Sequence, residues 1–382
     1  MIMSRRPLNI LQVLRAPVGG LFRHVVDLSH GLAERGHRVG LVIDAGDAGP
    51  FWQGKIDHLE TSAVLGLTRL TMARGPSPRD LLAVSHVMHR IARQKIDIVH
   101  GHGAKGGALA RFAASLARKG AAPARFYTPH GGTLHFSPTS LQGRAYRAAE
   151  AWLSRHCEAV IFESAFAREG FASRFHLASP HWPVIPNGLH RHEFMPVVVP
   201  DGAADFVFIG EMRDIKGVDI FLSAMRRLPG ATRAVLVGAG PQLSSYQAMA
   251  KACHLDERVK FLPPRAARAA FALGRVVVAP SRAESLPYLL LEAIAAGRPV
   301  IATAVGGVPE IFSPHTEALV PAEDSEALSA AMLAALLNPA TLSATMSEIA
   351  SYINNRFAVH TMVDAIEGLY CSKLAQERCS AA

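Results

Sequence analysis

"LNILQVLRAPVGGLFRHVVDLSHGLAERGHRVGLVID", residues 8–44, decides the fold class. "LNILQVLR" is a short apolar run that ends before Pro17 and a pair of glycines, as a buried strand does. "LFRHVVDLSHGLAERG" then repeats apolar residues at helical spacing until Gly36 stops it, and "HRVGLVID" is a second buried strand. Strand, helix and strand in succession make one βαβ unit, whose two strands lie parallel.

The alternation continues along the chain. A helix is predicted near "RDLLAVSHVMHRIARQK", a strand at "DIVHGH", a helix at "GGALARFAASLARKG" and a strand at "RFYTPHG", followed by a helix over 140–156 and a strand at "EAVIFES". Prolines and glycines then accumulate in "SPHWPVIPNGLHRHEFMPVVVPDGAAD", and the loss of periodicity marks a linker between about 178 and 204. A second series follows, with strands at "DFVFIG", "TRAVLVGAG", "RVKFLP", "RVVVAPS" and "RPVIATA". The tail reads as two helices, "TLSATMSEIASYINNRF" and "VHTMVDAIEGLYCSKLAQ". A chain of 382 residues exceeds one ordinary core, so two doubly wound α/β domains are expected.

Composition narrows the setting. No apolar run reaches the roughly 18 residues of a membrane helix, and the basic N-terminus leads straight into the first strand, so neither a bilayer span nor a signal peptide is expected. Cys157, Cys253, Cys371 and Cys379 form no CxxC pair and no zinc spacing, which suits reduced thiols in a cytoplasmic protein. The net charge of +9 is uneven: residues 1–190 hold 23 Lys/Arg against 12 Asp/Glu, and the remainder 17 against 19. That asymmetry fits either a solvated basic face or an anionic partner met by the first half, with nucleic acid, acidic lipid and acidic acceptor all open. Arg144, Tyr146, Arg147, Trp152 and Arg155 form one such basic, aromatic patch.

Ligands of open parallel sheets bind beyond the carboxyl ends of the strands, so the loops there hold the candidate residues. Gly19 and Gly20, between the first strand and helix, let backbone approach a ligand or merely make a tight turn. GxGxxG and GxxxxGK[ST] are both absent, which argues against a dinucleotide oxidoreductase. His130 in "FYTPHGG" is placed either to contact a hydroxyl or to serve structure. "FIGEMRDIKGVD" gathers Glu211, Arg213, Asp214 and Lys216 at a strand end, where arginine and lysine suit a diphosphate and also an ordinary charged turn.

"RAESLPYLLLEAIAAGRPVIATAVGGVPE", residues 282–310, is the fourth such loop. Ser285 is a candidate helix cap, with Pro287 in the first turn and the N-H groups of Tyr288, Leu289 and Leu290 pointing outward, where the helix dipole favours an anion. Glu292 falls in a helix apolar nearly all round, so it is expected buried and bonded to donors from protein or ligand, while Glu284 sits on the preceding loop at the rim. Two carboxylates astride an anion site match the layout of a nucleotide sugar: hydroxyls, diphosphate, hydroxyls.

With these residues the sequence resembles the family 4 glycosyltransferases, group 1 retaining enzymes of the GT-B fold. The likeness rests on "GGLFRHVVDLSHGLAERGHRV", "VIPNGLH", "IGEMRDIKGVDIFLSA", "VLVGAGP", the seven-residue spacing between Glu284 and Glu292, and "GGVPE". It implies an N-terminal acceptor-binding Rossmann-like domain over 1–185, a nucleotide-sugar domain over 186–358 and a helix over 359–382 crossing back to the first, with the two sheets facing a central cleft. It further implies that Glu284 addresses the transferred sugar, Glu292 the ribose, and Arg213 and Lys216 the diphosphate. His130 would lie near the sugar, and Gly19, Gly20, Pro287, Tyr288, Leu289, Asn187, Leu262 and Pro263 would complete the donor site. The family pattern has arginine where Glu211 stands, and glycines where this chain reads "SLPY".

No DxD motif or metal-spaced cluster is evident in the sequence, so neither metal nor cofactor is expected. The implied partners are a nucleotide-diphosphate sugar, UDP-sugar favoured, and a glycan or lipid-linked acceptor. An anionic membrane is a further candidate partner and nucleic acid is not. Two other readings share the architecture: a catalytically silent carbohydrate-binding protein and a nucleotide-sugar epimerase.

Overall fold

A computed structural model of the chain describes residues 6–46, 49–117, 122–131, 141–175 and 182–381. The chain divides into two compact units, residues 1–188 with 359–382, and residues 189–358.

In the first unit β1 (Asn9–Leu14), β2 (Arg38–Asp44), β3 (Leu67–Leu70), β4 (Ile98–His102), β5 (Ala124–Thr128) and β6 (Ala159–Val160) form one sheet. Its order is β3-β2-β1-β4-β5-β6 and every pair is parallel. The connections are α1 (Gly19–Glu34), α2 (Pro50–Ser62), α3 (Arg79–Gln94), α4 (Gly103–Ser115) and α5 (Leu141–Arg155), with α6 (Ala165–Phe175) after β6. Strand alternation sorts the core: Ile10 and Leu14 of β1 pack with α1, while Leu11 and Val13 pack with α3 and α4 on the opposite face. The sheet is therefore buried on both sides, which is why its strands read as continuous apolar runs.

The second unit repeats the design with β7 (Ala204–Ile209), β8 (Ala234–Val237), β9 (Val259–Leu262), β10 (Gly274–Ala279) and β11 (Val300–Ala302), ordered β11-β10-β7-β8-β9 and again all parallel. Its helices are α7 (Val218–Arg227), α8 (Leu243–Ala252), α9 (Ala267–Phe271), α10 (Tyr288–Ala295), α11 (Val308–Phe312), α12 (Ser325–Leu337) and α13 (Pro339–Arg356). The doubly wound parallel architecture expected from the alternation is the one the chain adopts. Residues 182–203 hold only isolated bridges and a 3-10 turn, Arg191–Phe194; the start of the expected linker lies outside the described residues. Sequence reading missed α2, β3 and α6.

No single helix among the described residues is long and apolar enough to cross a membrane. Cys157, Cys253 and Cys371 are free thiols; the side chain of Cys379 lies outside the description.

The last helix, α14 (Val359–Ala381), belongs to the first unit. Met362, Val363, Ile366 and Tyr370 join the core that contains α1. Gly31 of α1 makes this close approach feasible, because a Cβ there would lie 2.7 and 3.0 Å from the two methyls of Val363. Arg35 pairs with Asp364 at 2.5 Å and Glu367 at 3.1 Å, and His37 meets Glu367 at 3.2 Å. Alanine normally stabilises a helix interior over glycine by about 1 kcal/mol, but here the clash opposes it. Gly31→Ala is thus expected to lower stability by about 1 kcal/mol in the native background. In a Val363→Ala background the same change should raise it, as paired urea titrations will read.

Candidate active site

Strand order places the site. In the second unit the winding reverses between β7 and β10, and at such a reversal the two following loops diverge to leave a crevice. The loop after β7 carries Lys216, and the loop after β10 carries Ser281 and Glu284. Lys216 Nζ donates to Glu284 Oε1 at 2.5 Å, and Ser281 Oγ donates to the same oxygen at 2.7 Å. The pair is largely withdrawn from solvent, with 29% of the Lys216 side chain and 14% of that of Glu284 exposed.

Two glycines set this approach. Gly217, in the left-handed region at φ 66°, ends the 3-10 turn Asp214–Lys216 against β10: a Cβ there would lie 1.9 Å from the Pro280 carbonyl oxygen. Gly306 of "GGVPE", at φ 59°, sits so close to the backbone of Glu284 that a Cβ would lie 1.6 Å from its carbonyl oxygen. Arg282 ties the loops together, donating in a fork to both Asp219 oxygens at 2.9 and 2.7 Å and to the Asp214 carbonyl at 2.5 Å. Burial would raise the Asp219 carboxyl, but the hydrogen bonds and charge of Arg282 outweigh it and hold it below its ordinary value.

Lys216, Ser281, Glu284, Pro287, Leu289 and Leu290 line a small pocket. Its floor includes the start of α10, whose first-turn N-H groups have no partner within the helix. Two expectations are corrected here. The helix begins at Tyr288 with Pro287 as its N-cap residue in extended conformation, so Ser285 does not occupy the cap position. Glu292 is half-buried rather than deep, because it shares with Leu289, three residues earlier, the one face of α10 that the core does not cover. Arg213 lies outside the pocket: it precedes the turn that carries Lys216 inward, is 42% exposed and reaches Glu211 at 3.4 Å. Tyr288 turns its ring into the core, and Leu262 and Pro263 end the edge strand β9, away from the pocket lining.

The first unit has its own reversal, between β1 and β4, and there the histidines gather. His102 ends β4, His130 follows β5, and His24 lies on α1. His102 Nε2 meets Gln12 Oε1 at 2.8 Å and its Nδ1 meets His130 Nε2 at 3.2 Å, while His24 Nδ1 meets Asn187 Oδ1 at 3.1 Å. His100, two residues before His102 on the same face, bonds Tyr370 of α14 at 2.6 Å and Thr128 at 2.9 Å. His130 occupies the left-handed region at φ 49°, a conformation that persists in a side-chain-bearing residue only when its surroundings impose it.

Burial, aided by His130, pushes His24 down to about 4 against the pull of Asn187, and burial pushes His130 down to about 3. Burial first, then the neighbouring rings, hold His100 and His102 well below the ordinary imidazole range. The cluster is neutral at pH 7. Sequence reading named His130 and Asn187 and missed His24, His100, His102 and Gln12. Nitrogens of His24, His102 and His130 fall within 4.8 Å of one another, so the set that showed no metal spacing in sequence has one in space. Gly19, at φ 69°, and Gly20 open α1 and are exposed.

Residues 18–193 match the family described as Glycosyltransferase Family 4, and residues 203–338 match Glycosyl transferases group 1. The chain belongs to the group 1, family 4 glycosyltransferases. Among curated members it is similar to a D-inositol 3-phosphate glycosyltransferase of Saccharomonospora viridis, 33% identical over 48% of this chain and 46% of that one. It is also similar to the phosphatidylinositol N-acetylglucosaminyltransferase gpi3 subunit of Schizosaccharomyces pombe, 26% identical over 92% of this chain and 74% of that one. Its matched segment thus spans about half the length of the first of these relatives. Solved structures share the GT-B fold. Alr3699/HepE of Anabaena, in complex with UDP-glucose, superposes with a TM-score of 0.79 at 19% identity over 95% of this chain and 99% of that one. Sucrose-phosphate synthase of Thermosynechococcus elongatus gives 0.79 at 21% over 97% and 100%.

The buried neutral histidines of this glycosyltransferase fold have a consequence for acid stability. Unfolded, each ring titrates near 6.5; folded, His24, His100 and His102 do so well below that. Their contribution is complete above about pH 6.5 and is lost as pH falls from there toward the folded values. At pH 5 the loss approaches about 2 kcal/mol per ring. Trp52, Trp152 and Trp182 all lie in the first unit, so tryptophan fluorescence reports its unfolding alone. The urea midpoint so measured should fall markedly between pH 7 and pH 5; a level profile would show that the rings protonate without unfolding.

Proposed function

We propose that the chain transfers a sugar from a nucleoside-diphosphate sugar, with UDP-sugar favoured, to a glycan or lipid-linked acceptor, with retention of configuration and without a metal ion. The observation that carries this reading is the Lys216–Glu284 pair at the β7/β10 reversal, beside the start of α10. Lys216 supplies a positive charge where a departing diphosphate would collect negative charge, and the α10 N-H groups add to it. Glu284, fixed through Ser281 and Gly306, orients the sugar. Glu292, on the open face of α10, accepts from ribose hydroxyls. Arg213 is the further candidate for the phosphates, and in the first unit His130 is the candidate for the sugar and the backbone at Gly19 and Gly20 for the diphosphate. The UDP and UDP-glucose complexes of the Anabaena protein and the glycosyltransferase relatives support the donor class.

Incubation with UDP-, GDP- and ADP-sugars should release nucleoside diphosphate. Lys216→Ala and Glu284→Ala should each lower that rate on the order of a hundredfold. Full turnover by Glu284→Ala would remove the role assigned to it. Binding without turnover would favour the silent carbohydrate-binding reading, and product formation without acceptor or water the epimerase.

The same reading places the enzyme at the cytoplasmic face of a membrane. Trp152 is 45% exposed on α5, alongside exposed Arg144 and Arg155; the Tyr146 side chain lies outside the description. An aromatic ring among arginines suits an anionic lipid surface. Sedimentation with vesicles containing acidic lipid should exceed that with neutral vesicles and drop when Trp152 and Arg155 are both replaced by alanine. Equal sedimentation with both would overturn it.

A further inference from the structure

The reactive face of His130 is decided by residues that do not touch a ligand. Of its two ring nitrogens, Nε2 faces His102 Nδ1 at 3.2 Å. Nδ1 has no hydrogen-bond partner among the described residues. A neutral imidazole carries one N-H and one lone pair, and which nitrogen holds which is set by what the other one bonds. The direction of the whole chain therefore follows from its inner end.

That end is Gln12, fully buried on β1 and turned with its carboxamide oxygen 2.8 Å from His102 Nε2. The amide nitrogen of Gln12 is buried and has no hydrogen-bond partner among the described residues, so the bond to His102 is the one this side chain makes. With the oxygen toward His102, Nε2 of His102 must donate. Its Nδ1 then holds the lone pair, and His130 Nε2 must supply the proton between them. The lone pair of His130 is left on Nδ1, the nitrogen with no partner among the described residues.

We propose that Gln12 and His102 are positioning residues that lock His130 with its proton on Nε2, so that Nδ1 accepts a hydrogen bond from a hydroxyl of the bound sugar. The identity of that ligand rests on the proposed function; the proton positions do not. Two further observations fit. The left-handed backbone at His130 needs an external hold, and the bond to His102 provides one from the adjacent strand end. His24, anchored by Asn187, packs edge-on against the His130 ring with centroids 4.9 Å apart and limits its rotation. The competing use of these rings is a divalent cation held by His24, His102 and His130. It demands lone pairs on His102 Nδ1 and His130 Nε2 together, spaced about 3.3 Å apart by two bonds of about 2.0–2.1 Å on a tetrahedral ion. The proton on His130 Nε2 separates the two.

Long-range ¹H–¹⁵N correlation spectra of the intact protein read histidine tautomers directly, with His130 assigned by its absence in His130→Gln. The expected result is a protonated-type Nε2 and an unprotonated-type Nδ1 for His130, unchanged on adding equimolar zinc. A proton on Nδ1, or zinc-dependent shifts in His102 and His130, would overturn the proposal. Gln12→Leu should turn the single His130 tautomer into a mixture, and an unaltered spectrum would remove Gln12 from the chain. In the nucleotide-sugar assay, His102→Leu should lower kcat at least tenfold with a smaller change in KM. His102→Asn, which keeps an acceptor oxygen at the place of Nδ1, should recover most of it. Equal rates for the leucine and native proteins would refute the positioning role. If no nucleotide sugar turns over at all, the proposed function fails while the spectra still judge the proton positions.

Discussion

The geometry of the second unit depends on two places where backbone meets backbone with no room for a side chain. Gly217 lies against the carbonyl of Pro280 and Gly306 against that of Glu284, both in the left-handed region that an L side chain rarely adopts. The first contact presses the turn after β7 onto the end of β10; the second presses the loop after β11 onto the residue that follows it. Between them Lys216 and Glu284 have little freedom left. Arg282 then fastens the outer edge by its fork onto Asp219. The ion pair is thus a result of the packing, and its short distance reflects how tightly three strand ends are drawn together.

The first unit solves a different problem. A parallel sheet covered on both faces has no water to satisfy a polar side chain, so the polar residues of β1, β4 and β5 must satisfy one another. Gln12 bonds His102 and His100 bonds Thr128 across neighbouring strands, and Tyr370 reaches in from the last helix to bond His100, leaving the amide nitrogen of Gln12 without a partner among the described residues. Folding α14 onto α1 therefore does more than cover apolar surface: it brings the hydroxyl that His100 bonds. Placing the C-terminal helix and placing the histidines are one structural event.

Much of this was legible in the sequence, and the exceptions have physical causes. Strands buried on both faces announce themselves as apolar runs, which is why β1, β2, β4, β5 and the five strands of the second unit could be read. β3 is three half-buried residues and an exposed arginine at a sheet edge, and α6 has almost no apolar stripe, so neither leaves a pattern. The spacing of Glu284 and Glu292 was visible, but their depth was not, because a helix rich in leucine does not declare which side its neighbours leave open. Ser281, Gln12 and His102 escaped notice for another reason. Gln12 and His102 acquire their roles through partners on different strands, brought alongside by register that no local pattern encodes, and Ser281 through the fold of its own loop, which turns its hydroxyl onto Glu284.

The electrostatics divide in the same way. The first half of the chain carries the excess of arginine and lysine, yet the histidines at its strand ends are neutral, and its most deeply buried guanidinium, Arg111, is matched by Glu150 at 2.7 Å. Burial removes charge that is unpaired and tolerates it only in pairs. The surplus basicity must then reside on exposed side chains such as Arg144 and Arg155, where it acts on whatever approaches from outside. In the second unit the net charge nearly cancels, and at the pocket a lysine is paired with a carboxylate. The pair is neutral as a whole, yet it sets one cation and one anion at fixed positions beside the start of α10, an arrangement that the overall composition conceals.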